Sequence, residues 1–292
     1  MRTKIEVELH SRAKLKTTYV QLRLADGPAR VDVRAGNFKM PFSAIQQESI
    51  WTLPMADRGL IDNVFVNRMQ LAGRAVGANL VVRLKAPWRP ELRAGVFQGT
   101  DDAGNPLSAT AGDRYGQDAI ARASVRPIHG FELGAAFGSR AGELLVLPAT
   151  IRRQWAAEVD ATAELELGPA RVRGWAEAVT GTSWLVADPM QTSARFVSGR
   201  AIGAVRFGGA KKGRHYVEPY ALAGAVDPDT SVGGDFIREL TGGVGVGAWD
   251  RWQLQAELEV WRMGDNAPVG IAIYGLAPTN STTALIQFGA RL

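Results

Sequence analysis

The sequence contains no cysteine, which excludes a thiolate metal centre, a thiol nucleophile and a disulfide framework. Histidine is scarce: His10, His129 and His215 are all there is. The last two lie in turn-like segments, Pro127-Ile128-His129-Gly130 and Gly213-Arg214-His215, with no pair of carboxylates beside them. Neither a histidine-based metal site nor a Ser-His-acid triad is expected, and no Gly-x-Ser-x-Gly element is present. The chain is therefore not expected to be an enzyme, and no cofactor is expected. Long apolar runs are missing too. Nothing approaches the ~18 consecutive apolar residues of a membrane helix, and the longest run, near Leu144–Leu147, stops at Pro148. The opening residues Met1-Arg2-Thr3-Lys4-Ile5-Glu6 lack the apolar stretch of a secretory signal. The formal net charge of +5, from 34 basic and 29 acidic residues, is mild and not gathered with stacking aromatics. A nucleic-acid partner is not expected.

What the sequence does have is a period of two. From Ala29 to Phe38, Val31, Val33 and Ala35 alternate with Arg30, Asp32 and Arg34. From Arg74 to Lys85, Val76, Ala78, Leu80, Val82 and Leu84 share one face, and Asn79, Arg83 and Lys85 share the other. Val159, Ala161, Ala163, Leu165 and Leu167 oppose Glu158, Asp160, Thr162, Glu164 and Glu166, and Leu254, Ala256, Leu258 and Val260 oppose Gln253, Gln255, Glu257 and Glu259. Such alternation predicts strands with one apolar and one polar face. A soluble sandwich alternates in the same way, but its strands average about 5–6 residues, whereas these run to about 10, the length of a tilted membrane strand. Connections also alternate in length. Short turns at 26–28, 86–90, 128–130, 168–169 and 250–251, with a longer one at 208–215, interleave with long connections at 39–73, 100–117, 141–153, 183–193, 227–237 and 264–280. Short periplasmic turns and long extracellular loops are the outer-membrane pattern.

Fourteen strands are predicted, centred near Val7, Leu22, Val33, Leu80, Ala94, Ala123, Ala135, Ala161, Trp175, Ile202, Ala221, Val244, Leu258 and Ile286. The bounds on that number are 12 to 16, because Pro219 interrupts one strand and a proline normally demotes a strand to an edge or bulge. A barrel of that width has a lumen too large for side chains to fill. Its polar face must then line water and its apolar face must meet lipid. The fold class expected is an all-β, closed antiparallel transmembrane β-barrel in one domain over residues 1–292. Val82, Leu165, Leu258 and Ile286 should face outward, and Arg83, Glu164, Glu257 and Gln287 inward. Trp88, Trp249 and Trp252 near short turns, with Trp155 and Trp184 near long loops, fit two interfacial girdles.

One stretch resembles a known family. Val31-Asp32-Val33-Arg34-Ala35-Gly36-Asn37-Phe38-Lys39-Met40-Pro41-Phe42-Ser43, followed by Glu48-Ser49, Ala56-Asp57-Arg58-Gly59-Leu60 and Gly73-Arg74-Ala75-Val76-Gly77, is similar to the phosphate-selective porins of the O and P type. Ala94-Gly95-Val96-Phe97-Gln98-Gly99 and the final strand Ala284 to Leu292 carry weaker likenesses. The similarity covers about residues 17–99 and the last ten, and it implies an outer-membrane porin of 16 strands with a signal peptide. The chain is therefore expected to be truncated at its N-terminus, its native reading frame beginning upstream with a signal peptide. A smaller 14-stranded relative is the alternative.

The function expected is passive diffusion of small polar solutes and ions across the bacterial outer membrane, with a preference for anions or phosphate. A basic arc (Arg23, Arg30, Arg34, Arg83, Lys85, Arg93, Arg122 and Arg126) would face an acidic one (Glu158, Asp160, Glu164, Glu166, Glu257 and Glu259) across the lumen. Segment 39–73, with Lys39, Arg58 and its own apolar residues, is the candidate constriction, as a long loop with apolar content has reason to fold inward. The pore-lining candidates are Arg34, Lys39, Arg58, Arg83, Arg93, Arg122, Glu158, Glu164 and Glu257. Partners expected are outer-membrane lipid, small anions or polar solutes, and two further copies in a homotrimer. The alternatives are a plugged structural or adhesive barrel and, more remotely, a barrel enzyme.

Overall fold

The computed structural model describes residues 1–9, 13–59, 62, 71–98, 117–144, 147–182, 194–209, 214–265 and 280–290. It contains β1 (Arg2–Leu9), β2 (Ala13–Asp26), β3 (Ala29–Lys39), the single helical turn α1 (Ala44–Gln47), β4 (Arg74–Leu84), β5 (Glu91–Gln98), β6 (Gln117–Ile128) and β7 (Phe131–Leu144). There follow β8 (Leu147–Leu167), β9 (Ala170–Thr182), β10 (Arg195–Gly208), β11 (His215–Asp227), β12 (Ile237–Ala248), β13 (Trp252–Met263) and β14 (Ser281–Ala290). The fourteen strands form one sheet in chain order, every neighbouring pair antiparallel, as in β3–β4, β8–β9 and β12–β13. Each of the fourteen expected centres falls within a strand.

The periodicity becomes two chemically different faces. Leu80, Val96, Phe137, Val159, Leu165, Val197, Leu240, Leu258 and Ile286 are exposed on one, the outer face, while Asn79, Arg122, Glu158, Glu177, Arg200, Glu218 and Glu257 are buried on the other. The expected parity holds: Val82 alternates with Arg83, Leu165 with Glu164 and Leu258 with Glu257, and Gln287 pairs with inner-face Gln255. Tight turns are made where the backbone needs a left-handed residue: Gly130 at φ 76° and Gly168 at φ 60° close two-residue connections.

The sheet must curl. Residues 40–59 lie against its inner face. Gln47 accepts a hydrogen bond from Arg93 of β5 (3.1 Å), and the Trp51 ring lies against Gly289 of β14. In a flat sheet the nine gaps of about 4.8 Å between β5 and β14 would hold them about 43 Å apart, while four residues of chain span at most about 14 Å. Among the described residues no ladder joins β14 to β1.

Two expectations are corrected. The connection at 141–153 is not a loop: β7 continues to Leu144 and β8 begins at Leu147, the strands pairing through Gly142↔Arg152. Pro219 does not end its strand. Its partner Val244 on β12 is in register, and the loss appears on the other edge, where the β10–β11 ladder skips from Ala204↔Tyr220 to Phe207↔Val217. A proline has no N–H to give there, and the flanking pairs hold the register.

The inner face is also less uniformly polar than the alternation implies. Phe38, Phe97, Ile120, Phe196, Val226, Ile237 and Trp261, all near the long-connection ends of their strands, form a buried cluster with Met40, Phe42 and Leu71. Deeper, Ile45, Leu53 and Met55 pack on Trp175, Ile202, Tyr220 and Leu222. Of the aromatic girdles, Phe137 and Trp155 stack on the outer face with centroids 6.2 Å apart, and Trp88 is exposed in its short turn. Trp184 lies outside the described residues.

Candidate functional site: an inserted segment and a basic mouth

The segment after β3 enters through a tight local structure. Ser43 caps α1, its hydroxyl accepting from Gln46 N at 3.2 Å, the role for which short polar side chains are favoured. At the other end Lys39 donates to the carbonyls of Gln46 (2.6 Å), Gln47 (3.4 Å) and Glu48 (2.5 Å), satisfying groups that end a helix without partners. Arg58 folds back on the same point, donating to the Glu48 carbonyl at 2.8 Å.

Carboxylates of the wall then hold the segment by its backbone. Glu158 on β8 accepts from Ser43 N (2.6 Å) and Ala44 N (3.2 Å). Glu177 on β9 accepts from the Ser43 hydroxyl at 2.7 Å. Glu257 on β13 accepts from Ala56 N (3.0 Å) and Asp57 N (3.1 Å), and from the Tyr220 hydroxyl. Donors run the other way: Arg173 to the Thr52 carbonyl, Arg200 to the Arg58 carbonyl, and Gln255 to the Pro54 carbonyl at 2.8 Å. Gly59 packs closely on the Glu239 carboxylate, and its φ of +78° is a conformation that favours glycine. Burial pushes the Asp62 carboxyl up to about 6, against the pull of Arg200 and Arg58.

The acidic side of the wall is not a bare acidic arc. Parity places Arg173, Arg200 and Arg206 on the same inner face, and they pair within it. Arg122 grips Asp160 with both nitrogens (2.5 and 2.9 Å), Arg200 meets Glu177 (2.7 Å), and Glu218 bridges Arg173 (2.9 Å) and Arg206 (2.6 Å). All are buried, so each charge has a partner where water is scarce.

The opposite side is open. A cavity of about 620 Å³ at the short-turn mouth is lined by Arg83, Lys85, Arg89, Arg93 and Arg126, with Glu91 and Glu132 as its acids. Glu91 is shared by Arg83 and Arg93, and Glu132 pairs with Arg126 at 2.7 Å. Positive charge is therefore in excess along this wall.

Of the residues expected from sequence, Arg83 and Arg93 line this cavity, and Arg34 stands on the same face with its guanidinium 4.5 Å from the Tyr19 ring centroid. Glu158 and Glu257 hold the inserted segment, and Lys39 and Arg58 belong to the segment's own hydrogen bonding. Arg122 is paired, and Glu164 sits half-exposed at the rim with Arg171 at 2.8 Å. Glu177, Tyr220, Arg173 and Arg200 had not been singled out. The alternation Arg171, Arg173, Glu177 in β9 was the available signal, but it says only that these side chains share a face.

No family model matches the chain, and no curated protein matches it. Among solved structures, an anion-selective porin from Comamonas acidovorans superposes with a TM-score of 0.55 at 11% identity, over 95% of this chain and 91% of that one. OmpT, an outer membrane protein of Vibrio cholerae folded in vitro, gives 0.44 at 9% identity, over 89% and 84%. At such identities the likeness is one of fold alone: the chain shares its many-stranded antiparallel sheet with the Comamonas porin.

Proposed function

We propose that the chain closes into an outer-membrane pore for small polar solutes, with anions, phosphate among them, favoured, and with segment 40–59 as its constriction. The observation that carries this reading is the cavity with its cationic wall at the short-turn mouth, one of whose arginines, Arg93, also donates to Gln47 of the inserted segment. An excess of one sign in a confined space raises the local concentration of counter-ions and lowers the cost of an anion leaving bulk water. Pairing within the acidic half removes what would otherwise oppose that preference.

A plugged barrel is the second reading. The apolar cluster of Phe38, Phe42, Phe97 and Phe196 favours it, because rings that fill the interior displace the water an ion needs. Single-channel conductance in a planar bilayer, with reversal potential in a salt gradient, separates the two. The pore reading expects steady conductance with an anion-side reversal potential. Insertion without conductance would leave the plug.

A further inference from the structure

The outer face carries few charges: Arg195 at the start of β10 stacks on the outer-face Trp155 ring, 4.7 Å from its centroid, and two further arginines stand together. Arg238, second residue of β12, and Arg262, next to last in β13, are directly opposite in the ladder, and both are exposed on the outer face. Like charges directly opposite across an antiparallel pair are unfavourable, yet among the described residues neither has a carboxylate within ion-pair reach. Arg238 stacks on the Phe236 ring, 4.3 Å from its centroid, and Arg262 donates to the Trp261 carbonyl at 3.0 Å. Asp227, diagonal to Arg238 by register, makes no ion pair with it. The neighbouring stretch 266–279 contains no acidic residue.

A second feature lies beside the pair. Along the outer face Arg238 is followed by Leu240 and Gly242, which register with Ala223 and Ala221 of β11, while Ala225 stands opposite Arg238 itself. On β13 the corresponding residues are Val260 and Leu258. A Cβ at Gly242 would meet nothing within 4 Å. Small residues on β11 and at Gly242, flanked by Leu240, Val260 and Leu258, leave a shallow apolar groove. It runs from the two guanidiniums toward the middle of the sheet.

We propose that Arg238 and Arg262 bind a phosphoryl group of an outer-leaflet phosphoglycolipid, the lipid A type, with an acyl chain in the Ala221–Ala225 and Gly242 groove. The inference rests on the outer-membrane reading above, which sets the long connections outside. Two guanidinium forks on one face can take one phosphate between them with charge-assisted bonds, which turns a repulsive pair into a stable one. Their position at the long-connection end of each strand is the depth of a head group, and the groove beneath is the depth of its chains.

The test uses the full chain refolded in detergent, titrated with bisphosphorylated lipid A and read by native mass spectrometry and thermal unfolding. Wild-type protein is expected to retain the lipid and unfold at higher temperature with it. Arg238→Ala/Arg262→Ala should bind at least about tenfold more weakly, since a charge-assisted contact is worth roughly a decade in affinity. Gly242→Phe, which fills the groove and keeps both cations, should weaken binding as well. Phosphate-free lipid A should bind the wild type no better than lipid A binds the double variant. Inorganic phosphate in excess should fail to displace the lipid, which separates a lipid site from a free-anion site. Equal retention by the wild type and the double variant, or equal binding of the phosphate-free lipid, would overturn the proposal. Conductance of the double variant should match the wild type. A wild type that conducts nothing but still binds lipid A through the two arginines would overturn the pore reading alone.

Discussion

Glu158→Gln is the sharpest probe of the inserted segment. The carboxylate is buried and accepts two backbone N–H groups, from Ser43 at 2.6 Å and Ala44 at 3.2 Å. Glutamine keeps the shape but offers one acceptor oxygen, so its amide nitrogen faces an N–H, donor to donor. Each hydrogen bond to a charged group is worth about 1.5–3 kcal/mol. Ser43 is held at φ 62°, a conformation that costs a non-glycine residue about 1–3 kcal/mol and persists only while its surroundings enforce it. That strain acts with the substitution. Relief of the buried charge acts against it, because Arg122, 3.8 Å away, is already held by Asp160 and the Glu177 carboxylate shares the same serine. A net of about 2 kcal/mol toward the unseated segment corresponds to about a 30-fold change in population. In planar bilayers the variant should show larger, briefer openings about that much more often, and the detergent-solubilised protein should be cut faster within residues 40–59. Glu164→Gln, at the rim and without a bond to the segment, should behave as the wild type. If Glu158→Gln matches the wild type in both conductance and proteolysis, these carboxylates do not hold the segment.

Three further outcomes are expected. Leu258→Arg, in the middle of an outer-facing strand, should destabilise the protein refolded into lipid vesicles by about 2–4 kcal/mol relative to a detergent reference, and an equal effect in both media would contradict lipid exposure there. Arg93→Glu with Arg126→Glu should shift the reversal potential toward cations, more at low ionic strength because free ions screen the wall; no shift would remove the basic mouth from the ion path. Asp62, raised to about 6 by burial, binds its proton more tightly in the seated segment than in an unfolded chain. Its contribution to seating is full below the ordinary carboxyl range and is lost as pH rises through about 6. Openings should therefore become more frequent between pH 4 and pH 7, and Asp62→Asn should flatten that dependence.

The architecture was legible because a strand's alternation is local. Which face Leu258 or Glu257 takes follows from the pleat alone, and the fourteen centres follow from where alternation is broken by turns. Reading ended where local rules compete. Residues 141–153 lack strict alternation and carry Pro148, yet pairing with each other extends both strands beyond the expected loop. Pro219 signals an interruption, yet a sheet paired on the other edge tolerates it. Phe38 and Phe97 sit at inward positions in their strands, but only a partner such as Met40 or Phe42 explains why apolar rings face the interior.

The sequence by itself determined an antiparallel sheet with an apolar outer face and a charged inner one, because side-chain direction is a property of each residue and its neighbours. It also marked residues 39–73 as a segment with reason to fold inward. Which charges do what was decided only by the tertiary structure. Ser43 and Glu158 are 115 positions apart, and Ala56 and Glu257 are 201. They meet because the sheet curls, and the curl is a sum over all fourteen strands that no single stretch of sequence contains. The same curl sorts like residues into unlike roles, with Arg122 locked to Asp160, Arg58 turned onto its own segment, and Arg93 left in the open basic wall.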